Sequence, residues 1–515
     1  MINHHIFASF VILIFLGLNS CKEKSAESSS ANVEDFCQKI HRNDSLSLTG
    51  TIAGLDSLME KSTGTYVLED GDGSMIARAW LTEYADKTID IQYFIFSVDN
   101  VGLIACDYIV RAADRGVKIR ILVDDIMVDA EGEDILIMDA HENIEIKIYN
   151  PGTNIGKNIM QKAGKLISDF RGVNQRMHNK TFIVDQKLAI TGGRNIADEY
   201  FDYDHEYNFR DRDIFLMGKL VKQMQSSFDE FWNHGLSIPV KQLLPDIITA
   251  SHDATMYDKL HQYACNPDNF WPQVRERITN LPSAFQQIMA SGDLVWLDSI
   301  YFVSDDPGKN NGTAGLSGGG KSTDALIALV KKAKYSIDIQ SPYLVTTELS
   351  RSLFEAATKR GVKVRILTNS LASTDNLEAF SGYQRDRKKL LDTGVDIYEF
   401  KPDAACRFHV MTGALQKKMN FTPIFGLHAK TMVIDNHITV VGTFNLDPRS
   451  ANLNTECVVV AHSDKIAAGV MKGIEEEFLP ENAWHTTKEW NPDGEVDLKK
   501  RVKTMMRKVV PKDIL

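Results

Sequence analysis

Two stretches of this chain, 250 residues apart (178 to 428), carry the same arrangement of side chains. His178-Asn179-Lys180 leads to Asp185, and His428-Ala429-Lys430 leads to Asp435, a histidine, a lysine two residues on and an aspartate five after that. Each copy continues to a Gly/Asn cluster at the same offset, Gly192-Gly193-Arg194-Asn195 and Gly442-Thr443-Phe444-Asn445. Upstream, Ile89-Asp90-Ile91-Gln92 returns as Ile337-Asp338-Ile339-Gln340, and Arg115-Gly116-Val117-Lys118 as Arg360-Gly361-Val362-Lys363. Residues 144–149 are echoed by 395–400. Spacing this even means that the two halves fold as the same unit, and two half-sites imply one site built from both.

Within a unit the hydrophobic period switches in a readable order. Residues 74–88 have helical spacing, 89–96 read as a short strand, 103–115 as a helix ending at Gly116, and 117–123 and 144–149 as strands. Alternating helices and apolar strands predict an α/β layered unit with a mostly parallel sheet. The motif falls on a strand and the turn after it, with Thr181–Val184 and Leu188–Thr191, or Thr431–Ile434 and Ile438–Val441, as a hairpin. Strand residues two apart face the same side, so each histidine projects with its lysine. The hairpin returns Asn195 or Asn445 towards that pair.

This set suits displacement at a phosphodiester. Two lysines and two amide donors around the phosphate oxygens offset the charge that repels a nucleophile. One imidazole can attack phosphorus while the other protonates the departing alkoxide, a transfer that contributes roughly 10²–10⁴-fold. Each imidazole needs an acidic partner on its other nitrogen. With lysines supplying positive charge, the chemistry calls for no metal and no cofactor.

These motifs resemble the phospholipase D superfamily, and the stretches Gln175–Lys180, Gly192–Phe201, Thr368–Asp375 and Asn445–Ser450 with Asn454-Thr455-Glu456 are most similar to its bacterial cardiolipin synthase C type. The resemblance runs from about residue 70 to the C-terminus. It implies two tandem α/β/α sandwich units related by a pseudo-twofold, with the active site at their interface. It also implies a phosphatidyltransferase or phosphodiesterase with His178 as nucleophile, His428 as general acid, and Lys180 and Lys430 on the phosphate. Glu456 matches the acidic residue that orients a histidine. Its first-half counterpart is Asp211, with Asp213 and Glu206 as alternatives. Asp185 and Asp435 match motif aspartates expected to support histidines across the interface. Gly193 and Thr443 stand where many members carry serine, and as both are small no loss of activity is expected from either.

Resemblance further implies phospholipid substrates, phosphatidylglycerol first and phosphatidylethanolamine as a second possibility, at a membrane surface. A net charge of −11 gives no broad basic footprint, which argues against nucleic acid as the main partner. No feature of the sequence calls for an obligate protein partner.

The units divide the chain into 70–234 and 301–463, with a mainly helical insertion at 235–300 and a C-terminal extension from 464. Ile6 to Leu18 is an apolar run too short to span a bilayer but of signal-peptide size, followed by Leu18-Asn19-Ser20-Cys21 and a Ser/Glu/Lys stretch. This resembles a bacterial lipoprotein signal in residues 1–21, with Cys21 lipidated, a tether over 22–69 and an exported, membrane-anchored enzyme. The scattered cysteines show neither CxxC nor zinc spacing, and most read as thiols.

Gly315 to Ser322 matches the P-loop pattern, but no hydrophobic strand immediately precedes it, so it reads as a loop before a helix. The basic stretch Lys499 to Lys512 is partly amphipathic and reads equally as a membrane-surface helix or a solvated terminal one.

Overall fold

The computed structural model describes residues 47–125, 132–152, 174–244, 254–310, 316–411 and 422–515, with residues 172 and 413. The signal-like segment and Cys21 lie outside the described residues. Among those described, 17 of the strands form two large sheets, one per half, and the other two join the halves.

Strands of the first sheet are β1 (Thr63–Leu68), β2 (Thr88–Tyr93), β3 (Lys118–Asp124), β4 (Ile144–Tyr149), β5 (Thr181–Val184) and β6 (Leu188–Gly192). After β7 (Tyr207–Arg210) come β8 (Asp213–Gly218), β9 (Ser237–Pro239) and β10 (Val295–Leu297), giving the order β10-β1-β8-β6-β5-β2-β3-β4-β9. The second sheet runs β11 (Ile300–Ser304), β12 (Ser336–Gln340), β13 (Lys363–Asn369) and β14 (Asp396–Phe400). After β15 (Ile424–Leu427) it takes β16 (Thr431–Ile434), β17 (Ile438–Gly442), β18 (Cys457–His462) and β19 (Ala483–Thr486), in the order β11-β18-β17-β16-β12-β13-β14-β19.

The sheets are mixed, which corrects the expectation of a mostly parallel sheet. Within the two large sheets only β2-β3-β4 and β12-β13-β14 pair in parallel, because among neighbouring strands there only these are joined by helical crossovers. Tight hairpins at 184–188 and 434–438 force β5-β6 and β16-β17 to be antiparallel, and the neighbours follow. Among its described residues the insertion carries helices Ala254–Ala264, Pro272–Thr279 and Ala284–Ser291, and β9 and β10 at its two ends close the edges of the first sheet.

Local signals explain the helix positions. Asp70 caps Gly71–Tyr84 by accepting the Gly73 N–H at 2.6 Å, so this helix starts three residues before the apolar spacing suggested. Asp99 caps Asn100–Asp114 in the same way, and Thr347 with Ser350 forms a capping box on Glu348–Lys359. Gly116 and Gly361, at φ 94° and 88°, end the equivalent helices of the two halves in a conformation glycine adopts without strain.

Three cores result. Helices 71–84 and 100–114 bury their apolar stripes on the outer face of the first sheet, and Lys321–Lys332 with Glu348–Lys359 do the same in the second. The third core lies between the halves: Val221, Phe228 and Phe231 of helix Val221–Asn233 and Val470 and Ile474 of helix Asp464–Glu477 share it with inward residues of both sheets. Each such side chain contributes about 1.5–3 kcal/mol on burial, so the interface is held as firmly as a domain interior. Backbone continuity reinforces it, since β7 and β15 pair in parallel across the two halves and Met177 bridges to Thr455.

Candidate active site

Both HxK motifs reach this interface, and each histidine is held by the opposite half. His178 donates its backbone N–H to Thr455 O at 3.0 Å, and its Nδ1 bonds Glu456 Oε2 at 2.8 Å. His428 donates its N–H to Arg210 O at 2.8 Å, and its Nδ1 bonds Asp211 Oδ2 at 2.6 Å. The peptide group before each carboxylate thus fixes the backbone of the histidine that the carboxylate orients. Asp211 is the first-half partner: Asp213 is instead committed to Arg78 at 2.9 Å, and Glu206 meets the other half through its backbone carbonyl.

Lys180 Nζ donates to His178 O at 2.9 Å, and Lys430 Nζ lies 2.9 Å from His428 Nε2. His178 Nε2, by contrast, has no hydrogen-bond partner among the described residues. Phe94 stands edge-on to the His178 ring at 5.1 Å, while Tyr200 and Phe209 flank His428 at 5.0 and 4.7 Å. These walls strip water from both imidazoles.

Burial sets the charge states. Desolvation, with Lys180 and Lys430 adding to it and Glu456 opposing, lowers His178 to about 4; desolvation with Lys430 lowers His428 to about 3. The lysines fall to about 8 for Lys180 and about 7 for Lys430, again through desolvation first. Burial pushes Asp211 and Glu456 up, but the imidazole and lysine beside each outweigh it, leaving both carboxyls below their ordinary values. At neutral pH the pocket therefore holds two anionic carboxylates beside two neutral imidazoles, with lysines close to their titration points.

The motif aspartates do not reach the histidines, a correction to the sequence expectation. Asp185 accepts the N–H groups of Asp86, Lys87 and Thr88 at 2.7–2.9 Å, and Asp435 accepts those of Lys334, Tyr335 and Ser336. Both sit at positive φ, 51° and 53°, in the hairpin turn. The seven residues from histidine to aspartate span the whole strand, so the carboxylate lies at the end opposite the site. Their work is to tie the hairpin to the start of β2 and β12.

Gly193 and Thr443 occupy equivalent places with different consequences. The Thr443 hydroxyl donates to Glu456 Oε2, and Ser450 Oγ donates to Oε1 at 2.7 Å. At Gly193 a Cβ would stand 2.1 Å from Asp211 Oδ1. The shorter carboxylate is packed against the Cα, with Arg212 N–H at 2.7 Å in place of a hydroxyl. Asn195 Oδ1 accepts the Ile95 N–H at 3.1 Å; Asn445 is its buried counterpart, and its Oδ1 has no partner among the described residues.

Sequence reading missed the residues that position the motif from below. Asp124, the last residue of β3, accepts the Met177 N–H at 2.8 Å. Asn369, at the same place in β13, bonds both Leu427 N–H (2.8 Å) and Leu427 O (2.7 Å). Each grips the residue before a motif histidine. The signal was present, since these residues close the aligned Ile-Leu strands 119–122 and 364–367. Arg210 and Arg212, flanking Asp211, were likewise unread: Arg210 Nε pairs with Glu477 at 2.5 Å and Arg212 Nε with Glu69 at 2.8 Å, and both arginines are buried. Lys321 of the P-loop-like stretch starts helix Lys321–Lys332 and pairs on the surface with Asp306. Cys106, Cys406 and Cys457 are free thiols. Among the described residues no His/Cys/Asp/Glu cluster is arranged to hold a metal.

Comparison with known proteins agrees with this architecture. The family described as cardiolipin synthase, PLD-like domain matches residues 81–232 and again 326–478. Cardiolipin synthase C of Escherichia coli K12 is 32% identical over 423 residues, covering 82% of this chain and 86% of its own. An uncharacterized protein of Helicobacter pylori 26695 is 32% identical over 419 residues, 81% of this chain and 80% of its own. The crystal structure of phosphatidylserine synthase from Haemophilus influenzae Rd KW20 superposes with a TM-score of 0.58 at 13% identity, over 90% of this chain and 100% of that one, a likeness of fold. Twice-matched domain, two HxK half-sites and one shared interface agree: the chain belongs to the cardiolipin synthase, PLD-like domain family, and is an enzyme of the phospholipase D superfamily.

Proposed function

We propose that this enzyme transfers a phosphatidyl group between alcohols through a phosphohistidine on His178, with phosphatidylglycerol as the favoured lipid and cardiolipin as the product. What carries the assignment is the asymmetry at the two ring nitrogens: His178 Nε2 is unengaged, whereas His428 Nε2 is beside Lys430. A neutral, oriented imidazole with its Nε2 lone pair directed into the cleft is a competent nucleophile at neutral pH.

Binding of the anionic phosphodiester between Lys180 and Lys430 raises the affinity of both imidazoles for protons, and His428 takes one. His178 Nε2 then bonds to phosphorus as the P–O bond to the headgroup breaks, and His428 Nε2–H delivers its proton to the departing oxygen. In the second half-reaction neutral His428 removes the proton of an acceptor hydroxyl, whose oxygen displaces His178 from phosphorus. Glu456 and Asp211 stabilise each imidazolium and hold the tautomer that leaves Nε2 facing the cleft. Anchoring through Cys21 would keep this cleft at a membrane.

The test is to incubate the full chain with phosphatidylglycerol, quench, and map acid-labile phosphorus by mass. A phosphatidyl adduct on His178, absent in His178→Ala and still formed by His428→Ala from a lipid with a p-nitrophenol headgroup, is the expected result. An adduct on His428 would reverse the roles, and turnover surviving in His178→Ala would remove the covalent step.

A further inference from the structure

The basic C-terminal segment is an ordinary helix with its faces reversed. Helix Leu498–Met506 continues into a 3₁₀ turn at Arg507–Val509 and is capped by Asp497, whose carboxylate accepts the Lys500 N–H at 2.7 Å. Its apolar residues point to solvent: Leu498 is 67% exposed, Met505 and Met506 60% each, and Val509 69%. Three of its polar residues, Lys500, Thr504 and Arg507, face the protein. Thr504 is fully buried, Lys500 Nζ donates to Ala372 O at 3.2 Å, and Arg507 Nε pairs with Glu378 at 2.5 Å on helix Leu377–Leu391.

At 3.6 residues per turn, Leu498, Val502, Met505, Met506 and Val509 fall within an arc of about 100°. Lys499 and Lys503 border that arc on one side, Arg501 and Lys508 on the other. None of these four side chains makes an ion pair among the described residues. A soluble surface gains nothing from an apolar stripe framed by unpaired cations. An anionic bilayer complements both parts, with the stripe reaching acyl chains and the cations reaching phosphate. No described helix is long and apolar enough to cross a membrane, so this one would lie along it.

Position relates the helix to the site. Ala372, which Lys500 holds, lies in the loop after β13, and the next residue, Ser373, accepts the Tyr207 hydroxyl through its carbonyl. Tyr207 meets Phe209 edge-on at 4.9 Å, and Phe209 packs tilted against His428 at 4.7 Å. We infer that helix Leu498–Met506 and its following turn dock on the surface of a bilayer rich in anionic phospholipid and bring the His428 side of the cleft to the headgroup plane. The inference extends the phospholipid reading above and names the surface through which it is served.

The test labels the helix itself. Full chain carrying Met506→Cys is modified with an environment-sensitive fluorophore, and its emission beyond that of the equally treated parent protein is followed against phosphatidylcholine vesicles, vesicles with one third phosphatidylglycerol, and single-stranded DNA. A blue shift with phosphatidylglycerol vesicles alone is expected. Replacing Lys499, Arg501, Lys503 and Lys508 together by Glu should weaken it at least tenfold, as each charge near an anionic surface counts for roughly fivefold. Leu498→Gln with Val502→Gln and Met505→Gln should abolish the shift while melting temperature stays put. No shift, a shift unmoved by either set, or a response to DNA in place of vesicles would each overturn the inference. Headgroup exchange on a monomeric short-chain lipid, measured on the same variants, reports the phospholipid reading separately and should be unchanged.

Discussion

Gly193 offers a sharp test of how the site is held. A methyl group added there would sit 2.1 Å from Asp211 Oδ1 and 2.7 Å from its Cγ, distances no real Cβ tolerates. The carboxylate cannot simply swing away, because Oδ1 accepts the Arg212 N–H at 2.7 Å, Oδ2 bonds His428 at 2.6 Å, and the residue is fully buried. Gly193→Ala must therefore cost Asp211 its charge-assisted bond to His428, about 1.5–3 kcal/mol, with overpacking adding about 1–3 kcal/mol to the destabilisation. If the first term falls on the transition state, kcat drops on the order of 10–100-fold. Thr443→Ala at the equivalent position creates no clash and removes one hydroxyl from Glu456, about 1 kcal/mol or roughly fivefold. Headgroup exchange on phosphatidylglycerol micelles, with thermal melts in parallel, separates the two. Gly193→Ala with kcat within threefold of the parent, or a larger loss in Thr443→Ala, would refute this account of the packing.

Asp185→Ala should leave kcat within about threefold while lowering stability by about 1–3 kcal/mol, since it orphans three backbone N–H groups and no catalytic group; chemical denaturation beside turnover checks both. Asn369→Ala frees both peptide groups of Leu427 and should reduce kcat about tenfold with little change in KM, read from steady-state kinetics. The histidines titrate at about 4 and 3, below the value near 6.5 of an unfolded chain, so the unfolded state binds more protons between these limits. Their contribution to stability should be flat above pH 6.5 and be lost as pH drops towards 4, a slope that His178→Phe should reduce in thermal melts. With Lys180 at about 8 and Lys430 at about 7, KM should rise above pH 7–8 as the phosphate-binding cations discharge.

Much of this was legible in the sequence because duplication prints each constraint twice. The strands 89–96, 117–123 and 144–149 and the hairpin 181–191 fell where hydrophobic runs and turn residues placed them. Sheet polarity did not, since an apolar strand looks alike whichever way its neighbour runs, and only the short hairpin reveals the antiparallel pairing. The histidines, lysines and the Asp211 and Glu456 partners were reachable through spacing and resemblance. Asp185 and Asp435 misled, because a doubled residue is equally the mark of a turn needed twice, and the length of a four-residue strand was the available warning. Asp124 and Asn369 escaped because they are chemically unlike, a carboxylate in one half and an amide in the other, so the repeat disguises a shared task. The reversed face of helix 498–506 could not be read at all without knowing which side meets the protein.

Because each carboxylate orients the histidine of the other half, neither half owns a working dyad. A fragment ending in the insertion would fold a sheet and display His178 without Glu456, and would be chemically silent. Substitutions in one half are thus felt as defects in the other: a change at Thr443 is registered at His178, one at Gly193 at His428. The duplication that built the site has made its two copies answerable to one another, free to diverge only in matched pairs such as Gly193 with Asp211 and Thr443 with Glu456.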